Sequence, residues 1–155
     1  MENKKKTNYC CLILYVFSIL VAYFSSLQSG TISSSESSWI TNLFLKAIES
    51  LKFLKIEIDY PTLHNIVRKL FGHFGWFFVM GILGFFTFLF SWDVKSKGLL
   101  ISFMIGIFVA ITAELLQFFA EDRGPMIGDM VINFSGYVTS SLLSSIVYKQ
   151  KKKQV

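Results

Sequence analysis

Four apolar stretches decide what this chain can become, because a helix of about 20 apolar residues crosses a hydrocarbon core of roughly 30 Å. They cover residues 9–27, 70–92, 99–119 and 130–148. Inside lipid every backbone N–H and C=O must be satisfied within the segment, which leaves helices as the form for such runs. A soluble domain of 155 residues would not carry four of them, and 53% hydrophobic residues with 17 Phe fit the membrane reading. The sequence therefore predicts an all-α membrane protein of four transmembrane helices. Residues 1–155 form a single membrane domain, with no stretch left for a separate soluble one.

The net charge of +5 matters through its placement. Lys4, Lys5 and Lys6 precede the first run, Lys95 and Lys97 separate the second from the third, and Lys149, Lys151, Lys152 and Lys153 follow the fourth. Lysines concentrate on cytoplasmic loops, so both termini are expected in the cytoplasm and the other connections outside. These clusters read as topology signals rather than a nucleic-acid footprint, and no nucleic-acid partner is expected. The first run has a basic start and an apolar centre but no Ala-x-Ala cleavage pattern after it, so it is read as an anchor. Cys10 and Cys11 make neither a metal spacing nor a disulfide framework.

The stretch FSSLQSGTISSSESSW, Phe24 to Trp39, leads from the first run into the outer connection, 28–69, and its Ser- and Gly-rich composition predicts a flexible, solvated link. Ile40, Leu43, Phe44, Ala47, Ile48, Leu51 and Leu54 then recur at helical spacing. They predict an amphipathic outer helix, with Trp39 as its interfacial anchor, lying on the membrane or packed on the bundle. Asp59, Tyr60 and Pro61 mark a further helix start. Gly72, Gly75, Gly81 and Gly84 on that helix predict close approach by a neighbour.

Polar residues in the third and fourth runs need a reason to be there, because charge and amide groups are costly in lipid. Gly106, Ala110, Ala113, Glu114, Gln117 and Glu121 share one helical face, and so do Asp129, Asn133, Gly136, Ser140 and Ser144. The two faces are expected to pack as an antiparallel hairpin. At 1.5 Å per residue, Glu114 lies roughly 9 Å and Asn133 roughly 6 Å below the outer ends of their helices. His73 enters at a similar depth, with Arg68 and Lys69 before it and Arg123 and Asp129 expected in the loop above. A buried carboxylate must be protonated, hydrogen-bonded or paired. Arg123 and His73 are the expected partners of Glu114. Helix N-termini and cations around this point favour an anion.

These same residues resemble the VanZ-like family of membrane proteins. The resemblance rests on FSSLQSG from Phe24, on Arg68, Lys69, His73 and Phe74, on Glu114 and Gln117, and on Arg123, Asp129, Asn133 and Gly136. Where the family often has Glu-Tyr after the histidine, this chain has Trp76 and Phe77, and Ser140 stands where a later glycine is usual. The resemblance implies a bacterial cell-membrane protein and extends to a role in resistance to the glycopeptide teicoplanin.

Three readings of the cluster follow. In the first, Arg68, Lys69, His73, Glu114, Gln117, Arg123, Asp129 and Asn133 bind membrane lipid, a lipid-linked cell-wall precursor or a glycopeptide. In the second, a membrane enzyme uses Glu114 as acid or base, His73 as proton carrier and Arg123 as clamp. In the third, the polar groups only hold helices together. No cofactor motif or nucleophile motif occurs, and His64 and His73 with one nearby carboxylate do not form a metal-ligand spacing. His64 is expected as an exposed helix residue.

Overall fold

The computed structural model describes residues 2–50, 58–91 and 95–153. Among these the chain is helical throughout its ordered elements: α1 (Glu2–Leu27), α2 (Gly30–Ser50), α3 (Tyr60–Val67), a π-helical segment (Arg68–Gly75), α4 (Trp76–Ser91), α5 (Lys95–Leu116), a 3₁₀ turn (Gln117–Phe119) and α6 (Ile127–Lys153). Tyr9–Leu27, Tyr60–Leu89, Lys97–Phe119 and Ile127–Lys151 are each long and apolar enough to cross a membrane. Leu51 and Leu54 of the expected outer helix lie outside the described residues.

The first correction concerns the serine-rich connection, which is helix rather than flexible link. α1 continues to Leu27, and α2 is already under way at Gly30. Serine usually disfavours helix interiors because its hydroxyl competes for backbone groups. Here the hydroxyls bond back one turn along the same helix: Ser35 to the Ile32 carbonyl at 2.7 Å, Ser38 to Ser35 at 2.7 Å and Thr41 to Ser37 at 3.0 Å. The corner between α1 and α2 is pinned by the Gly30 N–H, which donates to the Glu121 carbonyl at 3.0 Å.

The next helix starts where Asp59–Pro61 predicts. Asp59 accepts from the Thr62 N–H at 3.1 Å, satisfying one of the donors a helix start leaves free. α3, the π segment and α4 then follow without a break. His64 is not simply exposed: it is half-buried, its Nδ1 lies 3.0 Å from Thr41 Oγ1, and Tyr60 stacks on its ring. It fastens α2 to α3.

The centre of the bundle is organised by Tyr137 of α6, which is fully buried. Its hydroxyl meets Tyr15 of α1 at 2.9 Å and Ser102 of α5 at 2.8 Å. A side chain added at Gly84 of α4 would run into the Tyr137 hydroxyl, and one at Gly106 of α5 into its ring. The glycines thus make the space that the tyrosine fills. Gly81 also bears out the expected close approach, since it faces Ser140 and the Tyr137 carbonyl, and Ser141 donates to its carbonyl at 3.0 Å. Gly72 and Gly75 do not: the former opens only toward Arg68 and the latter toward Leu70, both on their own helix.

The expected hairpin of α5 and α6 forms, with Asn133 on Glu114 and Tyr137 against Gly106 and Ser102. The small residues of α6 also meet the π segment and α4: Gly136 sits on the Phe74 carbonyl, and Ser140 and Ser141 meet Gly81. Small residues on α6 therefore admit the helix that carries His73.

Candidate functional site

His73 is delivered by the π segment. Its i→i+5 bonding widens the turn, so residues four and five apart come to share a face. Arg68, Lys69 and His73 are so related, and His73 is buried while Lys69 stays partly exposed. α5 brings Glu114, and the first turns of α6 bring Asp129 and Asn133; all three are buried.

Asn133 joins the cluster. Its Nδ2 donates to Glu114 Oε1 at 3.2 Å, which leaves its Oδ1 as acceptor toward His73 Nδ1 at 3.1 Å. With the amide in this orientation, His73 Nδ1 is the donor to Asn133 and carries a proton. Nδ1 also lies 3.4 Å from Glu114 Oε1, while Nε2 faces Asp129 Oδ2 at 3.6 Å. The Met126 backbone N–H donates to Glu114 Oε2 at 3.4 Å. Glu114 thus accepts from Asn133 and one backbone donor, with the His73 ring beside it.

Asp129 is not a loop residue, as the sequence suggests, but a buried member of the first turn of α6, where free N–H groups favour a carboxylate. Lys69 Nζ stands 2.9 Å from Asp129 Oδ1. The pair compensates charge without the alignment of a hydrogen bond, so Oδ1 has no directed donor.

Arg123 corrects a second expectation. Its Nη1 donates to the carbonyls of Ser25 at 3.0 Å and Gln28 at 3.5 Å, so it caps the end of α1 rather than pairing with Glu114. Partial burial and the neighbouring Arg68 hold its pKa below the ordinary arginine value, against the opposite pull of Glu114 and Asp129. Gln117 is buried in the 3₁₀ turn one turn beyond Glu114, but among the described residues no hydrogen bond ties its amide to the cluster. Glu121 is exposed and contributes only its carbonyl, to Gly30.

Beside the cluster lies a cavity of about 320 Å³ between α1, α2 and the π segment. Val21, Ala22, Ile40, Val67, Phe71 and Phe77 give it an apolar wall. Arg68, His73, Glu114 and Asn133 line it on the polar side, and Ser25, Ser33 and Ser37 border it from α1 and α2. Among the described residues Arg68 has no acid partner, and its buried Nε–H finds no acceptor. Glu36 also borders the cavity; it is exposed and accepts from Gln28 Nε2 at 3.2 Å. Trp76, one of the departures from the family pattern, donates its indole N–H to the Ser18 carbonyl on α1 at 3.0 Å and so helps shape this space.

His73, Glu114 and Asp129 each offer a possible ligand atom, and these atoms lie within 4.8 Å of one another. Linear spacing hid this triad, because the three residues come from three helices. Yet the imidazole divides its two nitrogens between the two acids, and the Lys69 ammonium already sits on Asp129. The ring thus stands between the two acids at ion-pair distances of 3.4 and 3.6 Å.

Comparison with known proteins adds one finding. The model of the VanZ/LLP1 family matches residues 9–148. No curated protein and no solved structure matches the chain.

Proposed function

The chain belongs to the VanZ/LLP1 family, and from that premise we propose that this multi-pass membrane protein holds the polar head of an anionic, lipid-linked envelope molecule in the cavity beside His73. The observation that carries the reading is the cavity itself, in which an apolar wall faces Arg68, His73, Glu114 and Asn133 across about 320 Å³. A ligand matching both sides is an amphiphile, with its chain against Val21 and Phe71 and its acidic head toward Arg68. The unpartnered Arg68 Nε–H supplies a donor for a phosphate oxygen, and such charge-assisted bonds are among the strong ones.

In this reading the lysine-bearing end of the bundle is cytoplasmic and the cavity opens at the outer leaflet. α2 lies along the outer interface, where its exposed Ile32, Trp39 and Leu43 meet lipid. The chain resides in a bacterial cell membrane, and its ligand handling contributes to protection against teicoplanin. The test is lipid extraction from purified protein, followed by mass analysis. Wild type retains a phosphate-bearing amphiphile that Arg68→Gln loses; equal retention by the two proteins refutes the proposal.

A second reading has its own support. Asn133 fixes the proton of His73 on Nδ1, so Nε2, facing Asp129, is the nitrogen free to exchange a proton. Such a ring, at the polar side of a ligand cavity, suits general acid–base chemistry on the bound head. Glu114 acts here by fixing the imidazole. Release of head group from a lipid-linked phosphate, abolished in His73→Gln, supports this activity. Absence of turnover across such substrates, with binding intact, leaves the protein a binder.

A further inference from the structure

A second concave site lies toward the opposite end of the bundle. It is a groove of about 370 Å³ between α4 and α6, lined by Phe78, Ile82 and Phe86 on one side and by Ser144, Val147 and Tyr148 on the other. The two helices approach closely at Gly81, where Ser140 and the Tyr137 carbonyl leave no room for a side chain. Beyond that point α6 presents Ser144 opposite the large side chains of α4. The mismatch in size opens the groove, and Phe85 against Tyr148, ring centres 6.3 Å apart, adds a further contact between the two helices. Phe78, Ile82 and Phe86 recur every four residues, so the trough runs along the helix axis for roughly 12 Å at 1.5 Å per residue.

The groove ends at Lys151, which lines it and is exposed. Ser144, Tyr148 and Lys151 follow at spacings of four and three, so they stand on one face of α6. No acidic side chain is among the lining residues. We propose that this groove binds an anionic phospholipid, with one acyl chain along Phe78, Ile82 and Phe86 and its phosphate at Lys151. Lysines close to a membrane surface attract acidic head groups, and basic pockets between transmembrane helices hold them. Exposed Lys149, one residue past Tyr148, adds to the same positive end. The site is separate from the His73 cavity and does not depend on it.

Native mass spectrometry of the full chain in micelles with equal phosphatidylglycerol and phosphatidylcholine tests this. One phosphatidylglycerol is retained with a preference of about fivefold, the factor expected of a single lysine near an acidic head group. Lys151→Gln removes the preference. Ser144→Phe fills the trough and lowers retention of both lipids. Ser135→Ala, at an exposed hydroxyl that lines neither cavity, changes neither. Equal retention of the two lipids by wild type overturns the proposal, as does a preference that survives Lys151→Gln. The lysine variant is at the surface, so its result stands even if Ser144→Phe fails to fold.

Discussion

Replacing Asn133 with alanine tests whether the polar cluster is a connected unit. The side chain makes two hydrogen bonds, at 3.1 Å to His73 and 3.2 Å to Glu114. Interhelical hydrogen bonds in membrane bundles average about 0.6 kcal/mol and reach about 1.7, so the pair contributes roughly 1–3 kcal/mol. Removal also leaves buried Glu114 short of a donor, and an unsatisfied buried group adds about 1–3 kcal/mol. The expected loss is therefore about 2–6 kcal/mol. Reversible unfolding in mixed micelles measures it, with Ser135→Ala as control, since that exposed hydroxyl bonds only to the Ile132 carbonyl of its own helix. In a Glu114→Gln background the same deletion costs less, because no carboxylate is stranded, and the coupling is at least about 1 kcal/mol. A loss below about 0.5 kcal/mol, or no coupling, refutes the account of Asn133 as the joint between Glu114 and His73.

Three further predictions follow from particular contacts. Arg123→Ala lowers stability by about 1 kcal/mol, through its lost bonds to the Ser25 and Gln28 carbonyls, yet leaves lipid retention intact; retention assays with melting curves check both. Gly81→Ala and Gly136→Ala press a methyl group onto backbone carbonyls of Tyr137 and Phe74 and cost about 1–3 kcal/mol, whereas Gly128→Ala, with nothing within 4 Å, is silent in the same melts. The Asp59 carboxylate accepts from Thr62, which lowers its pKa below the usual Asp value. A depressed folded-state pKa adds stability above the unfolded value and loses it as pH falls through the folded one, so the gap in melting temperature between wild type and Asp59→Ala closes as the pH drops below the carboxylate range.

The meeting of His73, Glu114, Asp129 and Asn133 was legible because helical periodicity and depth counting are local rules. A polar residue in an apolar run at a known distance from its end leaves few places to go. The role of Arg123 was not legible, since a loop arginine can reach either an acid or a helix end, and only the fold brings the Ser25 and Gln28 carbonyls within range. Tyr137 was missed although a signal existed: glycines at 81, 84 and 106 on two helices imply a large side chain between them. The helical state of the serine-rich stretch went unread because composition favours solvated coil. In the fold the hydroxyls serve their own helix, and His64 holds that helix in place. The π segment has no sequence mark beyond Gly72 and Gly75, and it is the segment that aims His73.

The most direct measurement of the central claim is site mapping with a phosphate amphiphile carrying a photoreactive group at its head. The full chain is labelled in membranes, and the modified residues are identified by mass spectrometry. Label is predicted at the polar side of the cavity, on Ser33, Ser37, His73 and Asn133, competed by unlabelled amphiphile and lost in Arg68→Gln. Label spread over lipid-facing residues such as Phe108 and Leu142, with no competition and no effect of Arg68→Gln, contradicts the account.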